Sequence, residues 1–142
     1  MFNPSSRFLI VDDSSVTRNI VRMALQQMKM KTIDEASNGV AGLDKILSAS
    51  EQGTPYDLVI TDINMPEMDG LKLLELVRAE PKTSNIPVLI VTTDGGKPTV
   101  IKAVMSGVSG YMVKPFGVED VKNKILEIYK RKSEMGDSTS PS

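Results

Sequence analysis

No cysteine and no histidine occur among the 142 residues. Without cysteine there is no disulfide, no thiol nucleophile and no zinc-thiolate site. Without histidine there is no Ser-His-Asp triad, no imidazole metal ligand and no phosphohistidine. Tryptophan is absent too, so the chain has no indole fluorescence. No apolar run approaches the roughly 20 residues needed to span a bilayer. The N-terminal stretch MFNPSSRFLIVDDSS lacks the basic-then-apolar pattern of a signal peptide. The net charge of -1, from 17 basic and 18 acidic residues, offers no electrostatic basis for binding nucleic acid. A cytoplasmic location is expected. The remaining chemistry must come from carboxylates, lysines, hydroxyls and a hard metal ion.

What is present reads as one domain over 1–132, with a core over about 5–131 and a polar tail at 133–142 expected to be disordered. Short apolar runs alternate with helix-period segments. Residues 7–11 read as a buried strand, and Ser14 or Ser15 as the cap of a helix. In that helix Val16, Ile20, Val21, Ala24, Leu25 and Met28 are expected to face inward. Residues 31–36 read as a strand at or near the sheet edge, and 39–49 as a helix carrying Val40, Leu43, Ile46 and Leu47. A loop is expected at 50–55, a strand at 57–61, and a helix at 70–80 with Leu71, Leu74 and Val77 inward. Residues 86–92 are the most apolar strand. Pro98 then opens a helix with Val100, Ile101, Val104, Met105 and Val108 inward. A strand at 110–113 and a helix at 118–132, with Val121, Ile125 and Ile128 inward, complete the pattern. Five strands alternating with five helices predict an α/β fold with a parallel sheet.

In an open parallel sheet, ligands bind at the carboxyl ends of the strands. Asp12 and Asp13 stand at the first of those ends, Asp62 at the third, Thr92 at the fourth and Lys114 at the fifth. Clustered carboxylates repel, and a divalent cation relieves them. Three Asp and one Lys leave two negative charges, which Mg²⁺ would cancel. Asp13, Asp62 and a backbone carbonyl just past Asp62 suit its oxygen shell. Lys114 suits the oxygens of a transferring phosphoryl group. Asp62, on the central strand, is the carboxylate best placed to attack. Taken singly, an acidic pair at a helix start, a Thr in a turn and a Lys before Pro are ordinary structural features. Their joint placement at one sheet edge is what points to function.

The segments FLIVDDSS, VITDINMPEMDG, VLIVTT and GYMVKPF together resemble the receiver domain of bacterial two-component response regulators, and the stand-alone chemotaxis regulators of the CheY type in particular. The likeness spans about residues 5–131. It implies a doubly wound, flavodoxin-like five-stranded parallel sheet of order 2-1-3-4-5 with helices on both faces. It further implies Asp62 as phosphoacceptor, with Mg²⁺ or Mn²⁺ held by Asp13, Asp62 and the Asn64 carbonyl, and by Asp12 through water. Thr92 and Lys114 would bind phosphoryl oxygens, Tyr111 would change rotamer with Thr92, and the Lys114–Pro115 bond would be cis. The implied partners are a sensor histidine kinase, a flagellar motor switch protein or other phospho-dependent target, and a phosphatase. The protein is expected to be a monomer, with no output domain after the last helix. Two features depart from the commonest family pattern. Thr93 stands where a smaller residue is usual, and Asp94-Gly95-Gly96-Lys97 places two glycines before the fourth helix. Asn64, Thr93 and Asp94 are expected to tune dephosphorylation.

A phosphorelay intermediate is the alternative within the family. Outside it stand a receiver-like interaction module that has lost phosphorylation and a haloacid-dehalogenase-type aspartate phosphatase. The latter needs a second Asp two residues after the nucleophile, and Asn64 occupies that position.

Overall fold

The computed structural model describes residues 5–93 and 95–139. Five parallel strands form one sheet of order β2-β1-β3-β4-β5. They are β1 (Arg7–Val11), β2 (Thr32–Ala36), β3 (Leu58–Thr61), β4 (Val88–Thr92) and β5 (Gly110–Val113). The helices between and after them are α1 (Ser15–Gln27), α2 (Gly39–Glu51), α3 (Gly70–Ala79), α4 (Lys97–Met105) and α5 (Val118–Thr139). Both β1 and β3 have their residues buried on both faces, apart from half-buried Arg7, which explains their unbroken apolar sequence. β2 is an edge strand, consistent with its mixed polarity.

Period-two alternation sends side chains to two cores. Phe8 and Ile10 join Val21, Leu25, Val121 and Ile125 under α1 and α5. Leu9 and Val11 join Ile46, Leu74, Val77 and Ala103 under α2, α3 and α4. Each of the first three helices starts on a side-chain cap. Ser14 Oγ accepts from Thr17 N–H, Asn38 Oδ1 from Ala41 N–H, and Asp69 Oδ1 from Lys72 N–H. Such caps satisfy N–H groups that have no partner inside the helix, each contributing about 1 kcal/mol.

Several helix faces differ from the expected ones. In α1, Thr17 is buried while Val16 is 67% exposed, because the inward row runs 17, 21, 24 and 28. Val40 is likewise exposed on α2, and its inward row is Gly39, Gly42, Ile46 and Ala49. Small residues lead that row because the helix lies tightly on β1. A Cβ on Gly42 would come within 2.8 Å of Val11 Cγ2. In α3, Leu73 and Leu74 are buried, and Leu71 packs only partly against the core.

The largest difference is α4. Ile101, Val104 and Met105 were expected to face inward, but they are exposed at 48%, 62% and 83%, and Ala103 is the helix's buried residue. Val100, Ile101, Ala103, Val104 and Met105 spread apolar character over a wide arc of this helix, so spacing alone did not select its inner face. The small Ala103 is the side chain that this helix contributes to the core beside Leu74 and Val77. At the C-terminus, α5 continues to Thr139, seven residues past the boundary at 132. No proline interrupts that stretch, and polarity alone is no obstacle to a helix.

Candidate functional site

Parallel pairing brings every strand's carboxyl end to one sheet edge. Val11 pairs with Thr61, so the residues that follow, Asp12 and Asp62, lie side by side. Thr92 pairs with Val113, which puts Lys114 next to the end of β4. Lys114 Nζ then reaches both carboxylates, at 3.0 Å from Asp12 Oδ2 and 3.1 Å from Asp62 Oδ2. One carboxylate oxygen from each of Asp12, Asp13 and Asp62 lies within 4.8 Å of the others. This hard, all-oxygen donor set fits Mg²⁺ or Mn²⁺ and is wrong for a soft metal.

The three carboxylates are held differently. Asp12 is fully buried, and all four of its polar atoms are satisfied. Its N–H donates to Ala36 O at 3.0 Å, and its carbonyl accepts from Arg18 Nη1 at 2.6 Å. Its Oδ1 accepts from Ser14 N–H at 2.8 Å and its Oδ2 from Lys114. Burial pushes the Asp12 carboxyl above its ordinary range, and the Asp62 charge adds to that push. The Ser14 N–H and Lys114 work the other way without cancelling it. Burial also disfavours the charge on Lys114, but hydrogen bonds and attraction from Asp12 and Asp62 outweigh it and raise its pKa. Asp62 is buried, and its Oδ1 accepts the Ile63 N–H at 2.7 Å. Asp13 is exposed, at the entrance to the cluster.

The loop after β3 is fixed by close backbone packing. A Cβ on Gly70 would overlap the Asp62 carbonyl oxygen and sit 2.8 Å from its carbon. The Gly70 N–H donates to Ile63 O at 2.8 Å, closing the loop. At its far side Met68 O lies against Gly39, where a Cβ would overlap it. Glu67 has φ 69°, a left-handed conformation costly for a residue other than glycine.

The remaining expected residues fall around this cluster. Thr92 is fully buried at the end of β4. Tyr111 is half-buried and pairs in register with Ile90, on the face of the sheet that packs under α4. Asn64 and Thr93 are exposed at the same edge. Asp94 lies outside the described residues. The Lys114–Pro115 peptide is cis, as the resemblance implied. The sequence reading missed Arg18 and Ser14 as holders of Asp12. It missed Gly70 as well, whose lack of a side chain leaves space for the Asp62 carbonyl.

Fold and site together define a response regulator receiver, a signalling switch. The chain belongs to that family: the model of the response regulator receiver domain matches residues 8–126. Among curated relatives, a chemotaxis protein CheY homologue of Campylobacter jejuni is 42% identical over 122 residues, covering 86% of this chain and 91% of that protein. Among solved structures, the chemotaxis response regulator CheY4 of Vibrio cholerae superposes with a TM-score of 0.76 at 28% identity, covering 87% of this chain and 98% of that one. A CheY-like receiver protein of Methanospirillum hungatei gives a TM-score of 0.77 at 25% identity, over 91% and 98%. Among the described residues no helix is long and apolar enough to cross a membrane.

Proposed function

We propose that this receiver accepts a phosphoryl group on Asp62 from a sensor histidine kinase and signals by changing the surface formed by α4, β5 and α5. The observation carrying this reading is the single cluster of Asp12, Asp13, Asp62 and Lys114. An oxygen of Asp62 attacks phosphorus, the bond from phosphorus to the donor's leaving group breaks, and an acyl phosphate forms. Water later attacks that phosphorus, releasing phosphate and restoring the carboxylate. Asp13, Asp62 and the Asn64 carbonyl would hold Mg²⁺ or Mn²⁺, with Asp12 acting through water. The bound cation supplies charge neutralisation for the transferring group. Lys114 Nζ already bridges the carboxylates and can turn to a phosphoryl oxygen.

Thr92 binds the arriving phosphoryl group, and Tyr111 follows into the space it leaves. The two lie on one face of adjacent strands, which supports coupling between them. The exposed Ile101, Val104, Met105 and Val113 supply the apolar surface that a phospho-dependent target would cover. The Campylobacter relative's name favours chemotaxis, and with it a flagellar motor switch protein as target and a cytoplasmic monomer as the working form. A phosphorelay would use the same acceptor and a phosphotransferase partner.

Incubation with acetyl phosphate and Mg²⁺ is expected to add one phosphoryl group, seen by intact mass. Asp62→Asn removes it, and persistent labelling of that variant would overturn the assignment. Lifetime is a separate matter. Thr93 stands exposed beside Thr92, and its bulk would hinder the approach of water to phospho-Asp62. Thr93→Ala is expected to shorten the phospho-Asp62 lifetime about fivefold, equivalent to ~1 kcal/mol of barrier. Decay followed by loss of mass checks this.

A further inference from the structure

We propose that Arg18 is a positioning residue for the metal and phosphoryl site. It would act by clamping the backbone of the acidic pair to the edge strand. This inference rests on the reading of the cluster as a divalent-cation site.

Asp12 and Asp13 sit in the short turn between β1 and α1. That turn is tied to the sheet through the Asp12 N–H and to α1 through the Asp12 carbonyl. The carbonyl's donor is Arg18 Nη1 at 2.6 Å. The same guanidinium donates through Nε to Glu35 Oε1 at 2.8 Å, on β2. Glu35 is shared: its Oε2 accepts from Arg22 Nε at 2.7 Å, and Arg22 Nη2 also donates to Ile33 O at 2.9 Å. Partial burial opposes charge on Glu35, but hydrogen bonds and attraction from Arg22 and Arg18 win and hold its carboxyl below the ordinary range. The side chains of Arg18, Glu35 and Arg22 are 20%, 29% and 32% exposed, so the network is partly shielded from water.

A planar guanidinium fork presents separate N–H groups to two acceptors in fixed directions, whereas an ammonium is one freely rotating nitrogen on a flexible stem. Arg18 uses its fork to join a backbone carbonyl to a carboxylate on the neighbouring strand. Rotation of the Asp12 peptide would carry the Asp13 backbone with it. Asp13 is the exposed member of the carboxylate cluster, and its side chain depends on that backbone for its aim. Groups that orient metal ligands without touching the metal typically govern affinity by about 10- to 100-fold.

Charge and positioning predict opposite signs. Removing a cation near three carboxylates should, by Coulomb's law alone, tighten binding of another cation. Loss of the clamp should weaken it. The test is direct titration of the full chain with Mn²⁺, read as free Mn²⁺ by electron paramagnetic resonance, with urea unfolding run in parallel. Arg18→Gln is expected to bind Mn²⁺ about tenfold more weakly than wild type. Arg22→Gln, which spares the Asp12 carbonyl, is expected to stay within about twofold of wild type. Arg18→Lys keeps the charge but lacks the fork and is expected to remain weak; it also serves if the Gln variant fails to fold. Wild-type affinity in Arg18→Gln, tighter binding there, full rescue by Lys, or an equal loss in Arg22→Gln would each overturn the clamp. Failure of wild-type protein to bind Mn²⁺ would instead overturn the cation-site reading on which it rests.

Discussion

Gly70→Ala is expected to lower stability by about 3 kcal/mol and to abolish phosphorylation by acetyl phosphate. Two effects compete at this position. Alanine is the better helix former, which favours it by up to about 1 kcal/mol inside a helix. Gly70, however, is the first residue of α3, where that preference counts least. Against it stands direct overlap of the new methyl group with the Asp62 carbonyl oxygen. Backbone cannot swing aside as a flexible side chain can. Either α3 moves off the sheet or the Asp62 peptide turns, and both disturb the loop that holds Asp62, the proposed acceptor. Gly53→Ala is the comparison. Gly53 has φ 78° with open space around it, so the change costs only local strain of order 1 kcal/mol and leaves labelling intact. Urea midpoints and phosphoryl incorporation for the two variants check the prediction. Near-native stability with normal labelling in Gly70→Ala would refute it.

Lys114→Met is expected to cost about 3 kcal/mol at neutral pH in a chelating buffer, because it leaves two buried carboxylates without their shared cation. The pH dependence has a definite sign. Asp12 already has a raised pKa through burial, and losing Lys114 raises it further. A carboxyl whose folded pKa lies above its unfolded value binds more protons when folded. Its unfavourable contribution is therefore absent below the unfolded value of 3.8 and grows as pH rises through the folded one. The stability gap between Lys114→Met and wild type should shrink toward pH 4 and widen toward pH 7. Saturating Mg²⁺ should narrow it at neutral pH, since a ligand of the folded state stabilises by mass action. Thermal unfolding at several pH values, with and without Mg²⁺, measures all three. A gap independent of pH would show that the carboxylates do not depend on Lys114.

The clustering of the site residues was legible in the sequence, for a topological reason. A parallel sheet sends every strand's carboxyl end to the same edge, so short apolar runs ending in Asp12, Asp62, Thr92 and Lys114 reveal a cluster before any distance is known. The strand positions were legible for a related reason: strands buried on both faces must be apolar throughout. Helix faces were harder to read. The pattern for α1 was right except at its first turn, where Thr17 takes the buried place because its hydroxyl-bearing side chain lies under the helix start while Val16 points out. For α4 the inner face was not legible, because apolar residues spread over a wide arc carry little directional information. Glycine and arginine were misread for another reason. What Gly39, Gly42 and Gly70 contribute is the absence of a side chain at a close approach. What Arg18 contributes is a bond to a carbonyl six residues earlier. Neither leaves a hydrophobic trace.

Ala103 is the one fully buried side chain of α4. With partly buried Val100 beside Ala103, α4 places no fully buried large side chain in the core, so a change in its orientation would leave little core volume empty. The most apolar part of the helix surface already faces water, so rotation about that point exchanges one wet face for another at little cost in hydration. On the proposed reading, phosphorylation at Asp62 would act by biasing the orientation of such a lightly anchored element.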